Sequence, residues 1–107
     1  LNLNNMRDIE NDKIAGKNTL VVKMGLKGAK KYHEIILVTG MFCFMFFSLI
    51  IKSSLLPVVL INIPIIIHMN KVKKSEKYED FDPELKKVAL STFVLSILFW
   101  LTLVFLN

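Results

Sequence analysis

One cysteine, three prolines and four glycines in 107 residues leave little material for a cross-linked or loop-rich protein. Cys43 has no partner in the chain, which excludes an intrachain disulfide framework. Acidic residues are also scarce, nine against fourteen Lys and Arg, and Asp, Glu, Lys and Arg are missing altogether from residues 35–51, 55–69 and 88–106. No internal repeat or low-complexity tract is present, so solenoid and linker architectures are excluded as well.

What remains is hydrophobic. Apolar residues make up 53% of the chain and gather in the three uncharged stretches, too oily a composition for an ordinary water-soluble domain. Spanning about 30 Å of hydrocarbon takes roughly 20 helical residues. Residues 83–106 are long enough, and 32–51 become so once Tyr32 and His33 are counted; 55–69 are marginal. The expectation is an all-α integral membrane helical bundle with helices over 32–51, 55–69 and 83–106, embedded in a lipid bilayer. None of these runs opens the chain or precedes a small-residue cleavage pattern, so none reads as a secretory signal.

The net charge of +5 does not point to nucleic acid, because the basic residues flank the apolar runs instead of interleaving with aromatics on one face. Arg7, Lys13, Lys17, Lys23, Lys27, Lys30 and Lys31 precede the first run, and Lys71, Lys73, Lys74, Lys77, Lys86 and Lys87 lie between the second run and the third. Only Lys52 lies between the first two. If those two form a hairpin, both Lys-rich segments share one face, which the positive-inside rule makes cytoplasmic, in a multi-pass protein of the inner membrane. Asn107 is then outside.

Locally, residues 3–15 read as the last turns of a helix stopped by Gly16-Lys17, and residues 17–28 as a short connection in which Leu20-Val21-Val22 is either extended or helical. A helix starts near Gly28. Ser53-Ser54 can cap the next one, with Pro57 in its first turn and Pro64 kinking it from inside. Residues 70–82 read as a charged loop, and Asp82-Pro83-Glu84 as a helix start with Asp82 as N-cap acceptor. The chain begins with Leu1 and carries its densest polar cluster in the first twenty residues, which reads as truncation.

That cluster carries the chemistry. At 100° per residue, Asn4, Asn5, Asp8 and Asp12 fall within about 100° of one another on one helical face. Two carboxylates one turn apart repel unless a cation lies between them, and hard oxygen donors at this spacing suit Mg²⁺, which keeps waters and recruits phosphate oxygens. Arg7, Lys13 and Lys17 could add positive charge for the same anion. The plainer alternative is a solvated helix end in which Asp8, Glu10 and Asp12 are balanced by local Arg and Lys. An EF-hand is excluded, because Lys13 stands where its glycine belongs, and a P-loop because Asn11 and Asn18 replace its Gly and Ser/Thr. Gly25-Leu26-Lys27-Gly28 matches the GXXG of KH domains only by chance.

The string NNMRDIENDKIAGKNTLVVKMG resembles the NNxRDxxxDxxxGKxTLxVxxG stretch of bacterial 1,4-dihydroxy-2-naphthoate polyprenyltransferases of the UbiA superfamily. Asp8, Asp12 and Gly16 match the pattern of the whole superfamily; Asn4-Asn5, Arg7-Asp8 and Gly16-Lys17-x-Thr19-Leu20 point to the naphthoate branch. Residues 81–90, FDPELKKVAL, resemble the start of that family's last helix. The resemblance implies that residues 1–107 are the C-terminal third of a nine-helix prenyltransferase and contribute three of its transmembrane helices, with residues 1–31 as the second Asp-rich motif and its cytoplasmic connection. It also implies that Asp8 and Asp12 are catalytic ligands of Mg²⁺ and the diphosphate, and that Asn4, Asn5, Arg7, Lys13 and Lys17 bind substrate. The implied partners are a polyprenyl diphosphate, an aromatic acceptor and N-terminal helices carrying the first Asp-rich motif, with no nucleic acid. The implied activity is prenyl transfer in menaquinone biosynthesis, by a fragment inactive alone. A small three-span transporter or assembly subunit is the alternative.

Other polar residues receive plainer readings. His33 and His68 sit near membrane boundaries, where an amphipathic ring is comfortable. Asn62 is the one strongly polar side chain within the middle run and so pairs between helices or lines a cavity. The stripe of Met41, Phe42, Phe44, Met45, Phe46 and Phe47 reads as bundle packing before a prenyl channel, and Trp100 as an outer-face anchor.

Overall fold

A computed structural model describes residues 1–52 and 56–105. Its elements are helices α1 (Asn2–Arg7), α2 (Ile9–Ile14), α3 (Leu20–Ile50) and α4 (Leu56–Lys74), a single 3₁₀ turn over Tyr78–Asp80, and helix α5 (Phe81–Phe105). There is no strand among the described residues. The molecule is elongated, 52 × 23 × 22 Å, with the short helices at one end of the long ones.

The expected helix over 3–15 is divided at Asp8, whose φ of −92° and ψ of 7° are not helical. Its hydrogen-bond ladder nevertheless passes the break, from Asp8 N to Asn4 O at 3.0 Å and from Asp12 N to Asp8 O at 2.8 Å. Gly16 does stop the second piece. Its φ of +68° lets Gly16 N reach Lys13 O at 3.1 Å and Lys17 N reach Asp12 O at 2.8 Å, closing both last-turn carbonyls.

The connection expected over 17–28 is mostly helix. Thr19 Oγ1 accepts a hydrogen bond from Val22 N at 3.2 Å, an N-cap that starts α3 at Leu20. Gly25 then breaks the regular course with φ 67° and ψ 169°, a conformation reserved for glycine, and re-aims the chain into the long second part of α3. The charged loop expected over 70–82 is likewise shorter, because α4 continues to Lys74 and the 3₁₀ turn follows. Helix α5 begins at Phe81, which puts Asp82 inside its first turn and not at the N-cap. Pro57 and Pro64 fall within α4, and the Ser53-Ser54 cap lies outside the described residues.

The buried core belongs to the polar end. Leu3, Met6, Ile9, Val21, Ala29, Val72 and Phe81 pack together there, with Val22, Leu26, Tyr78, Leu85 and Val88 against them. Away from it the helices present apolar surface. Two helical segments, Leu20–Ile50 and Tyr78–Phe105, are long and apolar enough to cross a membrane, with only 11% and 6% of their most apolar windows buried. A soluble core helix would be buried, so lipid is the solvent these surfaces fit. Among the described residues α4 is not one of these two segments; it carries Asn62, Pro64 and His68 within its apolar course, and its last turn holds Lys71, Lys73 and Lys74. Hydroxyls along the long helices bond back to their own helix, as Ser48 does to Phe44 O at 3.0 Å and Thr102 to Leu98 O at 2.8 Å, so they need no water. In the aromatic stripe, Phe44 and Phe47 pack on Phe99 with ring centroids 4.8 and 6.0 Å apart, while Phe42 and Phe46 face outward with Trp100.

Candidate functional site

The residues at the polar end form two adjoining clusters. In the first, Arg7 lies flat against the carboxylate of its neighbour, Nε to Asp8 Oδ1 at 2.7 Å and Nη2 to Asp8 Oδ2 at 2.9 Å. The same guanidinium reaches Asn4 Oδ1 at 2.8 Å and, across to α5, Asp82 Oδ1 at 2.7 Å. Arg7 thus pins α1 to α5, a role the sequence could not assign because 75 residues separate the partners. The pairing holds the Asp8 carboxyl below the usual carboxylate range, mainly through the hydrogen bond from Arg7, and raises Arg7 in turn.

Asp12, one turn on, is buried and accepts from Lys17 Nζ at 2.9 Å, a contact that the Gly16 turn makes possible by folding Lys17 back over the helix end. This hydrogen bond, reinforced by the nearby carboxylate, raises the Lys17 ammonium above its ordinary value. The two carboxylates therefore each have their own cation. Lys13 lies elsewhere, paired with Glu10 at 3.1 Å, and Glu10 also accepts from Tyr78 Oη at 3.0 Å; these contacts lower the Glu10 carboxyl. Asn5 lines a cavity of about 530 Å³ between α1, α3 and α5, bounded by Leu20, Tyr32, Ile36 and Leu85 among others.

Seven residues singled out by sequence are thus distributed unevenly. Asn4, Arg7 and Asp8 are joined directly, Asp12 and Lys17 form an adjacent pair, Asn5 faces the cavity, and Lys13 points to Glu10. Among the described residues no group of three or more His, Cys, Asp or Glu side chains is gathered closely enough to hold a metal by itself. Two carboxylates and an amide oxygen nevertheless suit Mg²⁺ completed by waters and a phosphorylated ligand.

The second cluster is one that the boundary reading of the histidines missed. His33 of α3 and His68 of α4 are buried, 6% and 4% exposed, with their Nε2 atoms 2.9 Å apart. His68 Nδ1 meets Glu84 Oε2 of α5 at 2.8 Å, and Glu84, only 2% exposed, has Lys87 Nζ 2.7 Å from its other oxygen. Three helices are joined in one line. Residues so distant in sequence share no motif; the available signal was a strongly polar residue on each helix near one end of its apolar run. Asn62, deeper in α4, has a buried Oδ1 without a hydrogen-bond partner among the described residues.

Comparison with known proteins gives this arrangement a context. No family model and no solved structure matches the chain. Among curated proteins, the 1,4-dihydroxy-2-naphthoate octaprenyltransferase of Escherichia coli (strain K12) is 46% identical over 55 residues, 51% of this chain and 18% of that protein. The protein of the same name from Haemophilus influenzae is 33% identical over 105 residues, 96% of this chain and 34% of its own length. The chain therefore spans about a third or less of these relatives. The resemblance carried by residues 4–25 extends along nearly the whole chain, and the proteins to which it is related by sequence are named as 1,4-dihydroxy-2-naphthoate octaprenyltransferases.

Proposed function

We propose that the chain is part of a membrane prenyltransferase that moves a polyprenyl group from its diphosphate to a hydroxylated aromatic acid, 1,4-dihydroxy-2-naphthoate in menaquinone biosynthesis. In this reading it supplies the second Asp-rich motif and the last three spans of a nine-helix UbiA-type bundle of the inner membrane, α4 being the short middle span. Helices of the same protein that carry the first Asp-rich motif complete the site. The observation that carries the proposal is the paired carboxylates Asp8 and Asp12, flanked by Arg7 and Lys17 at the polar end of apolar helices, in a sequence with two relatives of one name.

The residues divide the work by their chemistry. Asp8 and Asp12, with the Asn4 amide, offer hard oxygens for Mg²⁺, and bound Mg²⁺ stabilises the charge of the departing diphosphate. Lys17, held beside Asp12, would offer its ammonium to the diphosphate. Arg7 balances Asp8 and keeps α1 against α5. The nearby 530 Å³ cavity, apolar but for Asn2, Asn5, Tyr32 and His33, would shelter an allylic cation from water.

In the full-length protein, Asp12→Asn removes a metal ligand while preserving shape, so turnover should fall about a hundredfold or more, with Asp8→Asn alike and Glu10→Gln nearly silent. The assay is release of diphosphate and prenylated product in detergent, with Mg²⁺ titrated. Parental activity and Mg²⁺ dependence in Asp12→Asn would leave the solvated helix end as the better account.

A further inference from the structure

We infer that His33, His68 and Glu84 are a proton relay that holds the hydroxyl proton of the aromatic acceptor while its ring is alkylated; this rests on the function proposed above. The geometry dictates the direction. With both rings neutral, Glu84 as carboxylate requires the proton of His68 on Nδ1, which leaves His68 Nε2 as an acceptor and makes His33 Nε2 the donor to it. The free lone pair is then on His33 Nδ1, which has no hydrogen-bond partner among the described residues. His33 belongs to the wall of the same 530 Å³ cavity that Asn5 borders on the side of the Asp8 and Asp12 helices. His33 thus stands between the relay and a mainly apolar space bordered by α1, the helix that ends at Asp8; a second space that it borders is lined by Lys27, Lys30, Lys31 and Glu34 of α3 and by Lys73 of α4.

The far end is anchored by charge. Glu84 receives Lys87 at 2.7 Å and has Lys71 at 3.8 Å, so its carboxylate survives burial. Tyr32 and Glu34 flank His33 on α3, with Lys27, Lys30 and Lys31 in the preceding turns and Lys73 facing it from α4, while the polar side chains that α1 brings to the cavity are the amides of Asn2 and Asn5. A purely structural clamp would need neither two imidazoles in series nor an open lone pair at a cavity. In the step proposed, the O–H bond of the acceptor breaks as N–H forms at His33 Nδ1. The proton on His33 Nε2 shifts to His68 Nε2, and that on His68 Nδ1 to Glu84. The ring carbon, now activated by the phenolate, bonds to prenyl C1 as the C1–O bond breaks, its electron pair leaving with the diphosphate. The alkylated carbon then sheds its own substituent, a carboxylate leaving as CO₂ or a hydrogen leaving as a proton to water, and that bonding pair returns to the ring. The oxygen takes its proton back along the relay.

The test uses the full-length protein with a polyprenyl diphosphate and 1,4-dihydroxy-2-naphthoate. His33→Gln should lower kcat about a hundredfold, leave both KM values within about threefold, and remove the acid limb of the kcat–pH profile. In His33→Ala, added imidazole should restore turnover at least tenfold. Wild-type kcat and acid limb in His33→Gln, a loss confined to KM, or no rescue of a folded His33→Ala would each overturn the relay while leaving prenyl transfer intact. Wild-type protein that forms no prenylated product would instead overturn the underlying function. If the His33 variants fail to fold, the wild-type proton inventory in mixed H₂O and D₂O decides: a bowed plot shows several protons in flight, and the absence of an isotope effect overturns the relay.

Discussion

The two ends of the molecule obey different rules although α3 and α5 run through both. At the polar end every large apolar residue of the core is nearly inaccessible, Phe81 and Met6 completely so, and charged side chains find named partners. At the other end Phe42, Phe46, Phe93 and Phe105 are each more than 60% exposed, and hydroxyls bond only within their own helix. Long-range side-chain hydrogen bonds and ion pairs concentrate at the polar end. Where lipid surrounds the chain, the hydrophobic effect no longer drives helix against helix, and packing needs close steric fit instead. The apolar end can therefore remain open to neighbours, whereas the polar end must be assembled to hold its charges.

This contrast can be broken by equal truncations at the two ends. Phe81→Ala should destabilise the protein by about 3–5 kcal/mol, the cost of emptying a closed core, whereas Phe93→Ala at a 63% exposed site should cost no more than about 0.5 kcal/mol. Thermal unfolding in detergent would measure both, and equal losses would mean that the apolar end is a packed core after all. A smaller effect sharpens the same division. In a Cys43→Ser background, cysteines at positions 27 and 74 should label from the same, cytoplasmic side of the membrane, with no difference in sidedness. Opposite labelling would break the hairpin and with it the shared polar end.

The parts of this division that are local were legible in sequence. Gly16-Lys17 as a helix stop follows from glycine's access to positive φ, and long uncharged runs fix their helices by composition. Thr19 shows the limit, since a polar residue before an apolar triplet fits either a strand or a capped helix, and only the hydrogen bond to Val22 N decides. Asp82 shows another: it has the right neighbours for an N-cap, but Arg7 approaching from α1 claims its carboxylate. The same reason hid the His33–His68–Glu84 line, whose members lie 35 and 16 residues apart and meet only after three helices have packed. The spacing of Asp8 and Asp12 was plain, yet their separate pairing with Arg7 and Lys17 depends on a break at Asp8 and a turn at Gly16 that put each cation in reach.

The central claim is that the polar end binds a metal together with a diphosphate through Asp8 and Asp12. Electron paramagnetic resonance of Mn²⁺ in place of Mg²⁺ tests it most directly, with the full-length protein in detergent and a non-reactive prenyl diphosphate analogue. The account predicts Mn²⁺ binding that tightens when the analogue is added, is lost in Asp12→Asn and persists in Glu10→Gln. Mn²⁺ binding of equal strength and equal diphosphate dependence in Asp12→Asn would contradict it.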